Sequence, residues 1–461
     1  MQQLSAIDTL FVSGESENMP MHIGALCIYQ SQTKQYFPRI NTVFEQRLGH
    51  SPIFRRKLVE PPFKLDNPYW LDDPAFSLGQ HLHRVTLKAG SGEEGLNKLV
   101  AELHARGLDM DKPLWEAWVI DGLEKSGWPK GTYGVYIKVH HAAIDGISGA
   151  EILGALNDIE PRKVRRKKQE AYPIETGMTP MDMAWETAKH SFGRPLRLAK
   201  ALRKWRSIPP PPPDFKETPM HWTKASINHA VGSERTIITV RFPFGDIRKI
   251  RRLIPSTTVN HVILSIIGGA LQQYLSQRSE LPDFSLGAAV PMNLRSSEDA
   301  TGGNIIGALL SSLGSNETDP LKRLRVVRDS ASGARKRSEA ISRDVVGELT
   351  SGISRQASAA AVSLFQRVSR RPGGMPLPVH TIVSNIPGPP IPLYLGGDEM
   401  VDLRVYGLVF EPIGLFHTVI SYDDAISLSV LACPNSLQEP DRYRRCLQEA
   451  FDAYAPYIEN D

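Results

Sequence analysis

Residues 138–149 read KVHHAAIDGISG. Imidazole is the side chain whose ordinary pKa lies near neutrality, so a positioned histidine can take a proton from a hydroxyl and hand it on. His140 and His141 end an alternating run, GTYGVYIKVH, with Tyr133, Val135, Ile137 and Val139 on one side and Tyr136, Lys138 and His140 on the other. That alternation predicts a half-buried strand whose two terminal histidines point to opposite faces. Three readings of the pair compete. A metal site wants convergent ligands, but adjacent strand histidines diverge and no HExxH or cysteine cluster accompanies them, so no metal is expected. Two buried structural histidines are the bland reading. The third makes one histidine a general base, because the pair sits at the end of a strand and is followed by Asp145 and Gly146, where catalytic groups collect.

The elements around this motif indicate a mixed α/β or α+β chain. Strand-like alternations such as RTIITVRF and LGAAVPM are interspersed with helical patterns such as VNHVILSIIGGALQQYLSQR, and at 461 residues the length favours more than one domain. Hydrophobic residues at 41% and charged residues at 23% give a globular balance able to bury a large core. Cys27, Cys433 and Cys446 are far apart and form no CxxC, so neither a disulfide framework nor a zinc knuckle is expected and a reducing cytoplasm fits. The N-terminus lacks the pattern of a secretory signal, and the best apolar run, VILSIIGGAL at 262–271, is too short to span a bilayer. A formal charge of +4 gives no reason to expect nucleic acid as a partner.

The charge is unevenly spread. PRKVRRKKQE at 161–170 and RPLRLAKALRKWR at 194–206 both precede the proline run at 209–213, which reads as a stiff spacer. Residues 161–220 are therefore read as a basic, Pro-rich connection, partly helical around MDMAWETAKHSF. Its charges are either a solvated linker surface or an attraction to anionic lipid, with Leu196, Leu198, Leu202 and Trp205 as interfacial contacts. Downstream, residues 373–392 are dense in Pro and Gly around a short strand, HTIVSN.

HHxxxDG, present as His140, His141, Asp145 and Gly146, resembles the signature of CoA-dependent acyltransferases with the chloramphenicol acetyltransferase-like fold. The flanks are more specific. LSAIDTLFVSGESENMPMHIGAL at 4–26, PYWLDDPAFSLGQHLHRVTL at 68–87, DKPLWEAWVIDGLE at 111–124, TVNHVILSIIGGAL at 258–271, VPMNLR at 290–295, GGN at 302–304 and VSNIPGP at 383–389 follow in order. Over nearly its whole length the chain is similar to the bacterial wax ester synthase/diacylglycerol acyltransferase family. One departure is Asn260-His261, where the family usually has Asn-Asp.

The resemblance implies two chloramphenicol acetyltransferase-like domains, 1–160 and 221–461, sandwiching a tunnel. It implies an enzyme that joins fatty acyl-CoA, a substrate rather than a cofactor, to a long-chain alcohol or diacylglycerol, at a membrane or lipid-inclusion surface facing the cytoplasm. His140, His141 and Asp145 form its catalytic motif, with His141 as the base. Asp145, which also suits a helix N-cap, is expected to pair with Arg295 and hold the loop. His140 is expected to pack or hydrogen-bond rather than react. Gly146 permits close approach. Asn385 is a candidate oxyanion donor or a plain turn residue. Asn260 is a helix N-cap or shapes the site. Pro113, Leu114 and Trp115 are candidates for the substrate pocket, or simply core. Two rivals keep the fold: an acyltransferase with an amine or carrier-bound acceptor, as in condensation domains, and a lipid-surface protein without catalysis.

Overall fold

The computed structural model describes residues 2–33, 35–144, 149–162, 179–206, 221–293, 306–340, 353–370 and 376–459. The strands among them, numbered along the chain, are β1 (Gln2–Gln3), β2 (His22–Gln30), β3 (Arg56–Val59), β4 (Tyr69–Asp72), β5 (Leu82–Thr86), β6 (Trp115–Asp121), β7 (Thr132–His140), β8 (Thr236–Pro243), β9 (Gly287–Asn293), β10 (Ile306–Ser312), β11 (Thr381–Ile386), β12 (Tyr394–Leu395), β13 (Asp398–Tyr406), β14 (Leu415–Tyr422) and β15 (Ala425–Ala432). They build a small sheet, β1-β4-β3, and two six-stranded sheets, β12-β13-β2-β7-β6-β5 and β10-β9-β11-β14-β15-β8.

The first six-stranded sheet does not belong to the N-terminal half alone. β12 and β13 cross over from the far end of the chain, and β13 runs antiparallel to β2 from Met400 opposite Tyr29 to Tyr406 opposite Gly24. Polar groups pin the crossing strand: Tyr133 Oη donates to Asp398 Oδ2 at 2.9 Å, and Arg39 pairs with the same carboxylate. Leu395, Met400, Leu403 and Val405 then share one apolar cluster with Phe44, Val135, Ile137 and Val139. Each such side chain contributes about 1.5–3 kcal/mol on burial, so residues from both halves hold this sheet together.

The expected strand is β7, but it is not half-buried. Every residue from Thr132 to His140 is buried, because the strand is central and both faces are covered. One face packs on the helices Tyr36–Arg47 and Gly149–Leu156, and the other on the helix Gly92–Ala105. Alternation placed the side chains on the right faces but could not show that the Lys138 face is covered too.

In the C-terminal half, the predicted helix is Val259–Ser276, buried through most of its length. Its glycines admit a close neighbour: a Cβ on Gly268 would lie 1.9 Å from the backbone oxygen of Leu313. The N-cap is Thr258, not Asn260. Thr258 is extended, its hydroxyl accepts from His261 N–H at 3.3 Å, and Thr258 N–H donates back to His261 Nδ1 at 3.2 Å. This reciprocal capping box needs an acceptor at the third helical position. Neutral His261 supplies it where the family usually has Asp, and burial lowers its pKa, with Arg328 adding to the effect. Asn260 stands one position earlier inside the helix, with Oδ1 buried and unpartnered among the described residues. Of the expected connection 161–220, residues 180–206 form one helix, Pro180–Arg206. Lys163 to Lys168, the proline run at 209–213 and the GGN at 302–304 lie outside the described residues.

Candidate active site

The ladder between β2 and β7 fixes the backbone of both histidines. His22 lies opposite His140, His140 N–H donates to Leu114 O at 2.9 Å, and His141 N–H donates to Met21 O at 2.8 Å. The rings then meet different surroundings. His140 is fully buried, and its Nδ1 accepts from Ala142 N–H at 3.1 Å. A neutral ring that accepts at Nδ1 carries its proton on Nε2, and that atom lies 3.4 Å from Glu15 Oε2. His141 is half-buried, with its ring stacked on Phe11 at 4.0 Å between centroids and 15° between planes.

His141 Nδ1 is buried without a well-formed hydrogen bond, and only the residue's own backbone carbonyl favours a proton there. Burial, reinforced by His140, pushes the His141 pKa down to about 4. The ring is therefore neutral at neutral pH, the form a base requires.

The face of β7 that carries His140 is polar at its heart. Lys138 is fully buried, with its ammonium 3.3 Å from Glu116 Oε2, donating to Leu103 O at 3.2 Å and Arg106 O at 2.6 Å, and 5.0 Å from the Trp118 ring centre. Behind it His104 Nδ1 meets Tyr136 Oη at 2.7 Å and His104 Nε2 meets Gly407 O at 3.0 Å. Gly24 makes room for this pair, since a Cβ there would lie 2.6 Å from Tyr136 Oη. These partners spare Lys138, His104 and Tyr136 the cost of buried groups left unpaired.

The opposite face opens on an apolar cavity of about 170 Å³, bounded by Ala25, Val135, Ile137, Val139, Leu153 and Ile386 among others. Val139 lines that cavity, and His141 follows the strand as the first residue of the short turn His141–Ile144. A polar groove of about 740 Å³ lies at Glu15, lined also by Ser16, Arg106, Asp109 and Ser233. The motif thus has an apolar chamber on one face of β7 and a polar opening beside Glu15.

Asp145, Gly146 and Arg295 lie outside the described residues, and with them the expected ion pair. Pro113, Leu114 and Trp115 are buried; Leu114 and Trp115 pack in the N-terminal core, and none of the three lines the apolar cavity. Trp115 stacks on His81 at 4.8 Å and donates from Nε1 to Phe54 O at 3.1 Å. The motif touches the site through its backbone, by way of Leu114 O. Asn385 is exposed on β11, and alternation gives it the face of Val383, not that of the cavity-lining Ile386. Glu15 escaped notice because SGESEN offers two acids, Glu15 and Glu17, and nothing in the local sequence says which one turns toward β7.

Residues 4–263 match the wax ester synthase/diacylglycerol acyltransferase catalytic domain and residues 302–455 the WS/DGAT C-terminal domain. A Mycobacterium tuberculosis protein, whose name assigns it provisionally to the diacylglycerol O-acyltransferases, is 29% identical over 95% of this chain and 96% of its own. The O-acyltransferase WSD of Acinetobacter baylyi is 26% identical over 99% and 98%. Among solved structures, the wax ester synthase/diacylglycerol acyltransferase from Marinobacter aquaeolei VT8 superposes with a TM-score of 0.72 at 21% identity, covering 100% of both chains. A trichothecene 15-O-acetyltransferase from Fusarium sporotrichioides, at 12% identity over 98% of this chain and 95% of its own, gives 0.63. These likenesses establish the chloramphenicol acetyltransferase-like fold, and with matches that run from residue 4 to residue 455 the chain belongs to the wax ester synthase/diacylglycerol acyltransferase family.

Proposed function

We propose that the protein is an O-acyltransferase that moves a fatty acyl group from acyl-CoA to the hydroxyl of a long-chain alcohol or a diacylglycerol, giving wax ester or triacylglycerol. The setting of His141 carries the reading: a neutral ring, stacked on Phe11 just past the end of β7, the strand whose Val135, Ile137 and Val139 line an apolar cavity. A proton on Nδ1, directed at the residue's own carbonyl, leaves Nε2 as the basic nitrogen. As the acceptor oxygen attacks the thioester carbonyl carbon, Nε2 takes the hydroxyl proton. The C–S bond then breaks and the imidazolium returns that proton to the CoA thiolate. No acyl-enzyme is needed. Asp145, Gly146 and Arg295 keep the loop's shape in this reading, and the apolar chamber suits a hydrocarbon chain and excludes the water that would hydrolyse the thioester. Because the acceptor resides in a bilayer or inclusion, the protein works peripherally at such a surface.

Thiol release from palmitoyl-CoA tests this, with hexadecanol or a diacylglycerol as acceptor. Release should depend on the acceptor and yield the corresponding ester. Release with amines only, or with no acceptor at all, would refute it.

Glu15 holds both histidines in this scheme. Its Oε2 faces His140 Nε2 and accepts from Met21 N–H, and Met21 O in turn holds the His141 amide. Glu15→Gln keeps the shape and loses the charge. A hydrogen bond to a charged group is worth about 1.5–3 kcal/mol, so kcat should fall roughly ten- to a hundredfold. KM and the unfolding temperature should stay close to wild type. A variant with unchanged kcat would remove Glu15 from the positioning chain.

A further inference from the structure

The helix Pro180–Arg206 is amphipathic the wrong way round for a core helix. Met183 and Thr187 are its buried side, at 3% and 7% exposure, and on that side His190 and Arg194 reach Asp66 at 2.7 Å each. At a hundred degrees per residue, Met181, Trp185, Phe192 and Leu196 fall within about 60° of one another on the opposite side. They are 77%, 65%, 89% and 77% exposed. A Met-Trp-Phe-Leu stripe turned outward along four turns of helix is not explained by scattered surface hydrophobicity.

The helix packs on the turn Pro62–Lys64, where Phe63 has φ 56° and 90% exposure. The turn is also held from the other side, by Gln356 Nε2 donating to Lys64 O at 2.9 Å. Phe63 is thus a further exposed aromatic ring close to the helix. The helix's charge turns positive along its length: after Asp182 and Glu186 near its start, residues 187–206 include seven Lys and Arg and no Asp or Glu.

We infer that this face, the outward stripe of Pro180–Arg206, is a docking surface for an anionic lipid layer. Apolar and aromatic side chains enter the boundary between headgroups and acyl chains, while Lys189, Arg203 and Arg206, which helical spacing puts on the same side, meet lipid phosphates. The choice of partner rests on the proposed lipid acceptor. A protein partner would be equally served by the apolar stripe, but the positive charge of 187–206 favours phosphate headgroups.

Flotation of the full chain with vesicles, in the absence of acyl-CoA, tests the surface separately from turnover. Wild type should float with vesicles of equal parts phosphatidylcholine and phosphatidylglycerol and lose binding in high salt. The double variant Phe192→Ser/Leu196→Ser should bind roughly tenfold more weakly, with an unchanged unfolding temperature and unchanged thiol release toward a short, water-soluble alcohol. A wild-type protein that stays at the bottom of the gradient, or a double variant that floats as well as wild type, would overturn the inference. Equal binding to pure phosphatidylcholine would overturn the anionic assignment. A dimer in gel filtration that the double variant dissociates, without vesicle binding, would assign the stripe to a second copy of the chain instead. Active enzyme without flotation would sink this inference alone, and flotation without acyl transfer would sink the functional reading alone.

Discussion

His141→Ala is expected to lower kcat for acyl transfer by roughly a hundred- to ten-thousandfold, the range supplied by a positioned general base, while the protein stays folded. An alcohol is a poor nucleophile at neutral pH, and the ring of His141 is the neutral imidazole stacked on Phe11 just past the end of β7. A pKa near 4 makes it a weaker base than free imidazole. Position must make up for what burial takes: a ring fixed on Phe11 acts on a bound acceptor with a high effective concentration. The same pKa sets the pH profile. Because the useful form is neutral and the folded pKa lies below 6.5, kcat/KM should not fall as pH drops from 8 to 6, and its acid limb should appear nearer pH 4. CoA release across that range, for wild type and variant with matched unfolding temperatures, checks both statements. A variant within threefold of wild type would take His141 out of the mechanism.

The legible part of this molecule is what depends on short-range period. GTYGVYIKVH becomes β7, RTIITVRF becomes β8 and VNHVILSIIGGALQQYLSQR becomes a helix, because alternation and helical spacing are local. What was not legible depends on partners distant in sequence. No local feature of 394–406 announces a strand destined for the N-terminal sheet, and that strand helps bury β7 on one face. Glu15 is chosen over Glu17 by the turn that aims it at His140, which is a tertiary fact. Asn260 was assigned a cap that Thr258 makes, because a cap is defined by backbone angles and not by the nearest Asn. The outward stripe shows the limit most clearly. Leu196 and Leu202 could be suspected from their basic setting, but Met181, Trp185 and Phe192 read as ordinary helix content until Met183 and Thr187 are seen to face the protein.

The same kind of burial that keeps His141 neutral makes the fold sensitive to acid. His104 and His417 are both buried, and burial pushes each pKa down to about 3. Arg235 and Lys138 deepen the effect at His104, and both cations are themselves buried around it. At His417, Thr381 uses its hydroxyl proton on Leu415 O at 2.9 Å, so His417 Nδ1 donates to Thr381 Oγ1 at 2.9 Å and Nε2 accepts from Tyr443 Oη at 2.8 Å. That bonding uses both ring nitrogens in the neutral form and leaves no place for a second proton. In the unfolded chain these rings take up protons below about pH 6.5. The unfolded state therefore binds more protons as pH falls, and the stabilising contribution, fully present above pH 6.5, is lost on the way down toward pH 3. At pH 5 each ring has lost about 1.5 units at 1.36 kcal/mol per unit, so the pair costs about 4 kcal/mol relative to pH 7. Urea unfolding at pH 7 and pH 5 reads this as a lower midpoint in acid. His417→Gln, which keeps hydrogen bonds at a buried site but cannot titrate, should remove about half of the difference, even if the variant is less stable at both pH values. An unchanged pH dependence in that variant would show that His417 is not among the groups that make the fold acid-labile.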